Sequence, residues 1–521
     1  MLRNIGSNWM LALIQLVVLV QLTPVQVRAL GAPAQGAWLT IASLTSVLGL
    51  LVLGVPMASV RFISGHVARR EIDQANEAIA TCLGATLGLG AAAMVVGAGL
   101  SFFFERVYLS GPAWQALQPH VLREARIAYW IVIVQVGLSF AGQLPYGILD
   151  AHHHFVARNG VKAAGLLIRL ALVIGVLTRH PSLLVLAFVQ LAVTALEFGV
   201  AMLIIRRSFP EIRFGLARFD RGRLRAILGF SIFVMLLNMG SQLAFQCDQL
   251  VINAFSGPEA GTLFDVGNKF FQPLTGIVLG IGMVIMPTAT KLQATGQMEE
   301  LRHVFLKWSK VASSIGMLLA AFLLVLAPEF IAWWMGPAFA GPSGQVTRLM
   351  MVAFLFFLPV RGVASPTLMG LGKPALPAIA LLVMGAVNLV LSLLLVKPFG
   401  ILGVAIGTAG PCVVFAAALA FIACREVEVS FGSYLRYVLL RPAIGACAPV
   451  LTLLALTRGL HLFSAELNRT ALFFRLFGAG VAMVVVFALT WILFVYRDDP
   501  YFDLGARVER FLPRALRSRA R

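Results

Sequence analysis

Hydrophobic residues fill the chain in long runs that short polar segments separate. Each of these runs is close to or above the roughly 20 residues that an α-helix needs to cross the hydrocarbon core of a bilayer. We number the predicted membrane spans 1 to 14 in chain order. They are 8–27, 37–60, 79–104, 127–149, 161–178, 183–205, 227–254, 262–287, 311–334, 349–371, 378–396, 401–424, 443–460 and 471–496. The pattern predicts an all-α integral membrane protein with about 14 transmembrane helices.

Composition and charge support this prediction and argue against a nucleic-acid-binding role. Of the 521 residues, 60% are hydrophobic and only 12% are charged, whereas soluble domains carry about 25% charged residues. The net charge of +19 is unevenly distributed. The N-terminus and the loops after even-numbered spans hold roughly three times as many lysines and arginines as the other loops. By the positive-inside rule, both termini are predicted to be cytoplasmic.

An internal repeat relates the start of the chain to its middle. The segment LGAPAQGAW at residues 30–38 resembles FSGPEAGTL at 255–263, and both are predicted to be short outside loops. The matching residues are Pro33 with Pro258 and Gly36 with Gly261. A helix hairpin of the same orientation follows each segment, so the repeat predicts two like-oriented halves.

The repeat divides the chain into two predicted six-helix lobes and a C-terminal extension. The lobes comprise residues 1–226 and 227–424, two additional transmembrane helices occupy 425–496, and a basic cytoplasmic tail occupies 497–521. A parallel repeat of this kind is one of the arrangements of secondary transporters, in which a substrate site lies between the halves. We therefore expect pseudo-symmetric lobes around a central cavity.

Two segments in the second half resemble a known family of transporters. The first, GLGKPALPAIALLVMGAVNLVLSLLLVKPFGILGVAIGTAG at 370–410, resembles the region of spans 10–12 of bacterial polysaccharide flippases. The second, at 247–270, resembles their span 7–8 hairpin. These proteins form the polysaccharide branch of the multidrug/oligosaccharidyl-lipid/polysaccharide exporter superfamily. The positions that carry the first resemblance are Gly372, Lys373, Asn388, Pro398, Gly400, Gly403 and Thr408.

Charged residues inside predicted spans are candidates for a transport site, because they are costly there and usually face a cavity or a partner. Arg361 lies in the middle of span 10 with no acidic residue nearby in its own helix. We expect it to face the cavity. Arg169 in span 5 is a second cavity candidate, although Glu197 in span 6 could neutralise it.

Three further ionisable residues and two glutamines complete the candidate set. Asp265 and Lys269 are four residues apart and could pair on one helix face, or Lys269 could face the substrate. Asp248 is either a structural partner of Lys269 or a coupling-ion site. Gln242 and Gln246 share a predicted helix face and could bind sugar or form interhelical hydrogen bonds.

The resemblance implies a function for these residues. The substrate would be a polyprenyl-pyrophosphate-linked oligosaccharide, flipped across a bacterial inner membrane for O-antigen or exopolysaccharide biosynthesis, with a polysaccharide polymerase and other assembly proteins as partners. By analogy with the lipid II flippase, spans 13 and 14 would flank a groove for the lipid tail. Alternatives are lipid II transport or drug/cation antiport within the same superfamily, a non-transporting scaffold, or a membrane glycan polymerase or ligase.

The sequence gives little support to the enzyme alternative. It contains no catalytic motif, no metal-ligand spacing and no Gly-Lys-Ser/Thr phosphate-binding loop, so we predict no cofactor and no metal site. The longest predicted outside loop, at 105–126, has few candidate catalytic groups.

Overall fold

The computed structural model describes residues 2–52, 55–216, 219–220, 222, 224, 232–459, 468–496 and 499–502. All the secondary structure in these ranges is helical. Through residue 268 the α-helices are Leu2–Leu30, Ala32–Ser46, Val55–Ala68, Ile72–Phe103, Pro112–Gln115, Pro119–Ala151, Phe155–Leu172, Leu183–Ser208, Ile232–Phe245, Cys247–Phe255 and Pro258–Asn268. They continue as Phe271–Ala294, Met298–Trp334, Pro337–Pro359, Ser365–Gly370, Ala375–Glu426, Phe431–Leu435, Arg441–Leu454 and Arg469–Thr490.

Within the described residues, twelve helices are long and apolar enough to cross a membrane. One of them, Ala375–Glu426, contains both predicted spans 11 and 12, with a break at Gly400, whose φ is 56° and ψ is −135°. Glycine adopts this positive φ without steric cost. Predicted span 7 corresponds to the two shorter helices Ile232–Phe245 and Cys247–Phe255. These two differences reconcile the twelve helices with the fourteen predicted spans.

The predicted outside loop at 105–126 is wrong in extent, because much of it is helical. A π-helical turn, Phe104–Leu109, continues the preceding helix, and the helix that contains span 4 already begins at Pro119. Proline is favoured in the first turn of a helix, where its missing N–H has no intrahelical partner to lose. Few irregular residues therefore remain to form a loop.

The chain divides into two compact units. The first comprises Met1–Leu263 with Ser392–Val404, and the second comprises Phe264–Leu391 with Ala405–Arg521. The first unit extends past residue 226, the predicted end of the N-terminal lobe. The helix Cys247–Phe255 belongs to this unit because it packs against the helix Ala32–Ser46 and against the turn Phe104–Leu109.

The two repeated segments contact each other inside the first unit. The Oγ1 of Thr262 donates a hydrogen bond to the carbonyl of Ala32 at 2.6 Å. A Cβ on Gly36 would lie 1.7 Å from the carbonyl oxygen of Pro258, so only glycine allows this approach. In addition, Asn253 donates from Nδ2 to the Oγ1 of Thr40 at 2.6 Å. The residues that define the repeat therefore form one close-packed junction.

The predicted loops at 30–38 and 255–263 are shorter than expected. Each contains a glycine with positive φ, Gly31 at 80° and Gly257 at 88°. A new helix begins directly afterwards, at Ala32 in one segment and at Pro258 in the other. The matching prolines thus belong to the first turns of two helices, a position that proline favours.

A buried ion pair joins span 9 to the residues after span 14 in the second unit. Lys310 donates to the carboxylate of Asp499, and both side chains are fully buried. Lys310 also donates to the carbonyl of Val495 at 2.8 Å and lies over the rings of Tyr437 and Tyr496. Lys310 lies in the helix Met298–Trp334. The residue that neutralises its charge is 189 positions away in the sequence.

We predict that Lys310→Met lowers the free energy of unfolding by about 3–5 kcal/mol, because it leaves the Asp499 carboxylate buried without its cation. Lys307→Met is the matched control on the same helix. Lys307 contacts the ring of Phe502 at 4.7 Å, and losing that contact costs about 1 kcal/mol. Thermal unfolding of the detergent-solubilised protein measures both variants, and equal losses would contradict the prediction.

Candidate functional site

Arg361 lies in an interruption of the helix that forms span 10. The interruption is the π-helical turn Val360–Ala364, and Pro359 and Pro366 flank it. A proline inside a helix lacks the N–H for the regular hydrogen bond, and its ring conflicts with the carbonyl four residues earlier. Turns of the π type are frequent at functional sites. The sequence around Arg361 therefore dictates irregular backbone in the middle of a membrane-spanning helix.

The guanidinium of Arg361 is not neutralised in the part of the chain that the structure describes. Its residue is half-buried, and among the described residues none forms a hydrogen bond or an ion pair with it. The sequence indicated that the helix of Arg361 contains no carboxylate partner for this residue. The other described helices contribute no carboxylate partner either. Arg361 thus carries a positive charge that no described residue balances, and its place in a substrate cavity stays a prediction.

Close packing against span 8 fixes the position of this turn. A Cβ on Gly362 would lie 2.5 Å from Cγ1 of Val278, and a Cβ on Gly282 would lie 2.8 Å from Cγ of Pro366. Gly370 continues the same contact one turn further along. Small residues at four-residue spacing allow membrane helices to approach closely. This signal was visible in the sequence, but we did not recognise it there.

Asp265 and Lys269 form the predicted ion pair. The Nζ of Lys269 lies 2.7 Å from Oδ2 of Asp265, and both side chains are about one-fifth exposed. Lys269 follows the end of the helix Pro258–Asn268, where the path of span 8 is interrupted. Its charge is balanced locally, unlike that of Arg361, and its predicted role in substrate binding stays a prediction.

An apolar groove of about 600 Å³ lies beside span 10 in the second unit. Spans 9 and 10 and the helical segment around span 13 line it, and Arg436 is its one charged lining residue. Spans 13 and 14 were predicted to flank a groove for the lipid tail. The lining includes Ala443 of span 13 but none of the described residues of span 14. The lining residues are Met317, Leu355, Phe356, Gly432, Leu435, Arg436, Leu439, Leu440 and Ala443.

The two glutamines of span 7 have different environments. Gln242 donates from Nε2 to the carbonyl of Ser46 at 2.9 Å, which is the interhelical hydrogen bond considered as one of its two roles. Gln246 lies between the helices Ile232–Phe245 and Cys247–Phe255, so the shared helix face is interrupted at this residue.

Asp248 is buried in the first unit and has a polar partner. The Oγ of Ser392 donates to its Oδ1 at 3.3 Å. The carboxylate is therefore hydrogen-bonded, and the proposed alternatives of structural residue and coupling-ion site stay predictions.

Arg169 and Glu197 are neighbours but do not form an ion pair. Glu197 accepts a hydrogen bond at Oε2 from the hydroxyl of Tyr146 at 3.0 Å. The buried Nε of Arg169 has no hydrogen-bond partner among the described residues. The two charges interact electrostatically without a hydrogen bond between them among the described residues, and both alternatives for Arg169, cavity residue or partner of Glu197, stay predictions. Tyr146 was not predicted, because nothing in the sequence connects it to span 6.

The fold and these membrane-embedded polar sites define a multi-pass, all-helical membrane protein with an exporter-type architecture. Residues 1–293, more than half of the chain, match the family described as "Polysaccharide biosynthesis protein". The chain belongs to this family, as the motifs at 247–270 and 370–410 indicated.

Two relatives have similar sequences. The uncharacterized membrane protein EpsK of Bacillus subtilis (strain 168) is 23% identical over 411 residues, which cover 78% of this chain and 79% of that protein. The uncharacterized membrane protein MJ1068 of Methanocaldococcus jannaschii is 23% identical over 216 residues, 40% of each chain.

Solved structures of transporters share the fold. The lipid II flippase MurJ in an inward closed conformation superposes with a TM-score of 0.70 at 11% identity, covering 94% of this chain and 99% of MurJ. An inward-facing multidrug resistance MATE family transporter of the MOP superfamily gives 0.65 at 15% identity, covering 80% of this chain and 98% of that one. The prediction of the superfamily fold is confirmed.

We predict that Gly362→Ala destabilises the protein by about 1–3 kcal/mol, because the added methyl group overpacks the contact between spans 8 and 10. Gly276→Ala is the matched control, because Gly276 lies in span 8 on the other side of this contact and a Cβ there would meet open space. In a helix this control change stabilises by about 0.5–1 kcal/mol. The thermal unfolding midpoints of the two variants test whether Gly362 packs tightly against span 8, and equal midpoints would contradict this packing.

Proposed function

We propose that this protein translocates a polyprenyl-pyrophosphate-linked oligosaccharide across the bacterial inner membrane for cell-surface polysaccharide biosynthesis. The observation that carries the proposal is the uncompensated Arg361 in the interrupted span 10, in a chain of the polysaccharide biosynthesis family. The likeness of fold to a lipid II flippase supports it, because that protein also acts on a lipid-linked substrate.

Arginine suits the pyrophosphate of such a substrate. Its planar guanidinium donates paired hydrogen bonds to phosphate oxygens and stays charged in any accessible pH range. A charge at the centre of a membrane helix costs about 2.5–3.5 kcal/mol on insertion scales. A site that binds an anion offsets this cost, whereas a purely structural role would require a protein partner for Arg361.

The groove beside span 10 suits the polyprenyl chain. Its lining is aliphatic and aromatic apart from Arg436, so it matches a hydrocarbon tail with an anionic head group. Leu355 and Phe356 lie in the same helix as the turn that carries Arg361. One continuous element, span 10, therefore supplies residues suited to both parts of the lipid.

The rest of the proposed mechanism rests on the two lobes that the sequence repeat predicts. The lobes at 1–226 and 227–424 would alternate access to a central cavity, with both termini in the cytoplasm and an ion gradient as the energy source. Asp248 is a candidate for the coupling site. A polysaccharide polymerase and other assembly proteins are the proposed partners on the product side.

Transport by the purified protein in liposomes tests the proposal directly. A fluorescent lipid-linked oligosaccharide is incorporated, and its accessibility to an external glycosidase is followed over time. We expect faster translocation than in protein-free liposomes under at least one ion gradient. Lipid II and a cationic drug are assayed in parallel, and preference for either one would overturn the proposed substrate. Rates equal to those of empty liposomes under every gradient would overturn transport itself.

We predict that Arg361→Ala lowers the translocation rate by about tenfold or more, because hydrogen bonds to a charged group contribute about 1.5–3 kcal/mol. Arg361→Lys should retain part of the rate, since it keeps the charge but loses the paired donors. Arg348→Ala, in the helix that precedes the Arg361 turn, is the control, because Arg348 donates to the carbonyls of Leu324 and Val325 and to no other described residue. Full activity of both Arg361 variants would remove this residue from the substrate site.

We also predict that Leu439→Trp, which fills the apolar groove, slows transport of a long-chain polyprenyl substrate. A short-chain analogue with the same glycan should be affected less, because it does not need the full groove. The ratio of the two rates is measured for the variant and for the unmodified protein. An unchanged ratio would show that the groove does not hold the lipid tail.

A further inference from the structure

One face of span 5 combines two cations with a glycine. Lys162, Gly165 and Arg169 are three and four residues apart, so their side-chain positions follow one another along the same side of the helix. The carboxylate of Glu197 in span 6 packs against this face at its centre. A Cβ on Gly165 would lie 1.9 Å from Oε1 of Glu197, so the glycine provides the space that the carboxylate occupies.

Glu197 is held at this position by one hydrogen bond and by the two cations. The hydroxyl of Tyr146 donates to Oε2 of Glu197 at 3.0 Å, and the Nζ of Lys162 lies 4.7 Å from the centre of the Tyr146 ring. Lys162 and Arg169 both interact electrostatically with Glu197. Neither cation donates a hydrogen bond to it among the described residues. The carboxylate thus screens two cations whose donors are not saturated.

One further carboxylate lies near this face. Asp150 of span 4 forms an ion pair with Arg158 of span 5 at 2.6 Å, nearer the end of the helix. It also interacts electrostatically with Lys162 but forms no hydrogen bond with it among the described residues. Span 1, which packs against span 5, has no charged residue from position 4 to 27, and span 6 has no other charge before Arg206. Glu197 is therefore the carboxylate that packs directly against Lys162, Gly165 and Arg169.

We propose that the face formed by Lys162, Gly165 and Arg169 is an anion-binding site that Glu197 occupies in the free protein, and that a phosphate group of a ligand displaces it. A phosphate carries more charge and more acceptor oxygens than a carboxylate, so it can use the unsaturated donors of both cations. This inference rests on the proposed function, because the lipid pyrophosphate of that function is the kind of ligand that the site would bind.

Binding measurements on the purified full-length protein test this inference. The probes are a short-chain prenyl pyrophosphate, inorganic pyrophosphate and the uncharged prenol. Titration calorimetry at constant pH gives the affinity of each probe. For the unmodified protein we expect the pyrophosphates to bind more tightly than the uncharged prenol. Binding of the prenol should not change in the variants described below.

Variants of Glu197 and its neighbours separate this mechanism from a structural role. Glu197→Gln keeps the shape of the side chain but removes the charge, so we expect pyrophosphate to bind about fivefold more tightly, in the usual range of coupling between sites. Tyr146→Phe should act in the same direction, because it removes the hydrogen bond that holds Glu197 in the site. Lys162→Gln and Arg169→Gln should each weaken binding by about tenfold. Glu329→Gln, a carboxylate variant in span 9, is the control and should leave the affinity unchanged.

The outcomes distinguish this inference from the proposed function. If the prenyl pyrophosphate binds and loses affinity in Arg361→Ala but responds to none of the variants at Glu197, Lys162 and Arg169, the span 5 site is refuted and the proposed function stands. If neither pyrophosphate binds the unmodified protein and no lipid-linked glycan is transported, both are refuted. If the variants change the affinities for inorganic and prenyl pyrophosphate equally, the site recognises the phosphates alone. If they change only the affinity for the prenyl compound, the site recognises a phosphate carried by a lipid.

Discussion

The cost of placing a charge in hydrocarbon governs the arrangement of polar residues in this protein. In most cases the cost is met by pairing within the chain. Lys310 is neutralised by Asp499 between tyrosine rings, and Lys269 is neutralised by Asp265. Arg361 departs from this rule, because no described residue neutralises it. Charged residues inside membrane spans usually face a cavity or a partner, so an unpaired one is a candidate for ligand binding.

Glycines and prolines place these charges by controlling how closely helices approach and where they bend. Pro359 and Pro366 interrupt the helix around Arg361, and Gly362 brings that turn against span 8. Gly165 leaves room for a carboxylate between two cations of span 5. The same residue types that weaken a regular helix therefore shape these two polar sites.

Contacts between residues close together in the sequence could be predicted, whereas contacts between distant residues could not. Long apolar runs and the motifs after residue 370 were sufficient for the fold class and the family, and the pair Asp265–Lys269 follows from helical spacing alone. The ion pair of Lys310 with Asp499 and the hydrogen bond from Tyr146 to Glu197 were missed. Their partners lie 189 and 51 positions apart, and no periodicity relates such distant residues. Loop lengths were overestimated because proline and glycine begin helices there.

The central claim is that the positive charge of Arg361 binds the pyrophosphate of a lipid-linked glycan. A cryo-electron microscopy structure of the protein with a polyprenyl-pyrophosphate oligosaccharide bound tests it most directly. The account predicts phosphate density within hydrogen-bonding distance of the Arg361 guanidinium, with the prenyl chain in the groove lined by Phe356 and Leu439. A phosphate bound elsewhere, with Arg361 paired to a carboxylate of the protein, would contradict it.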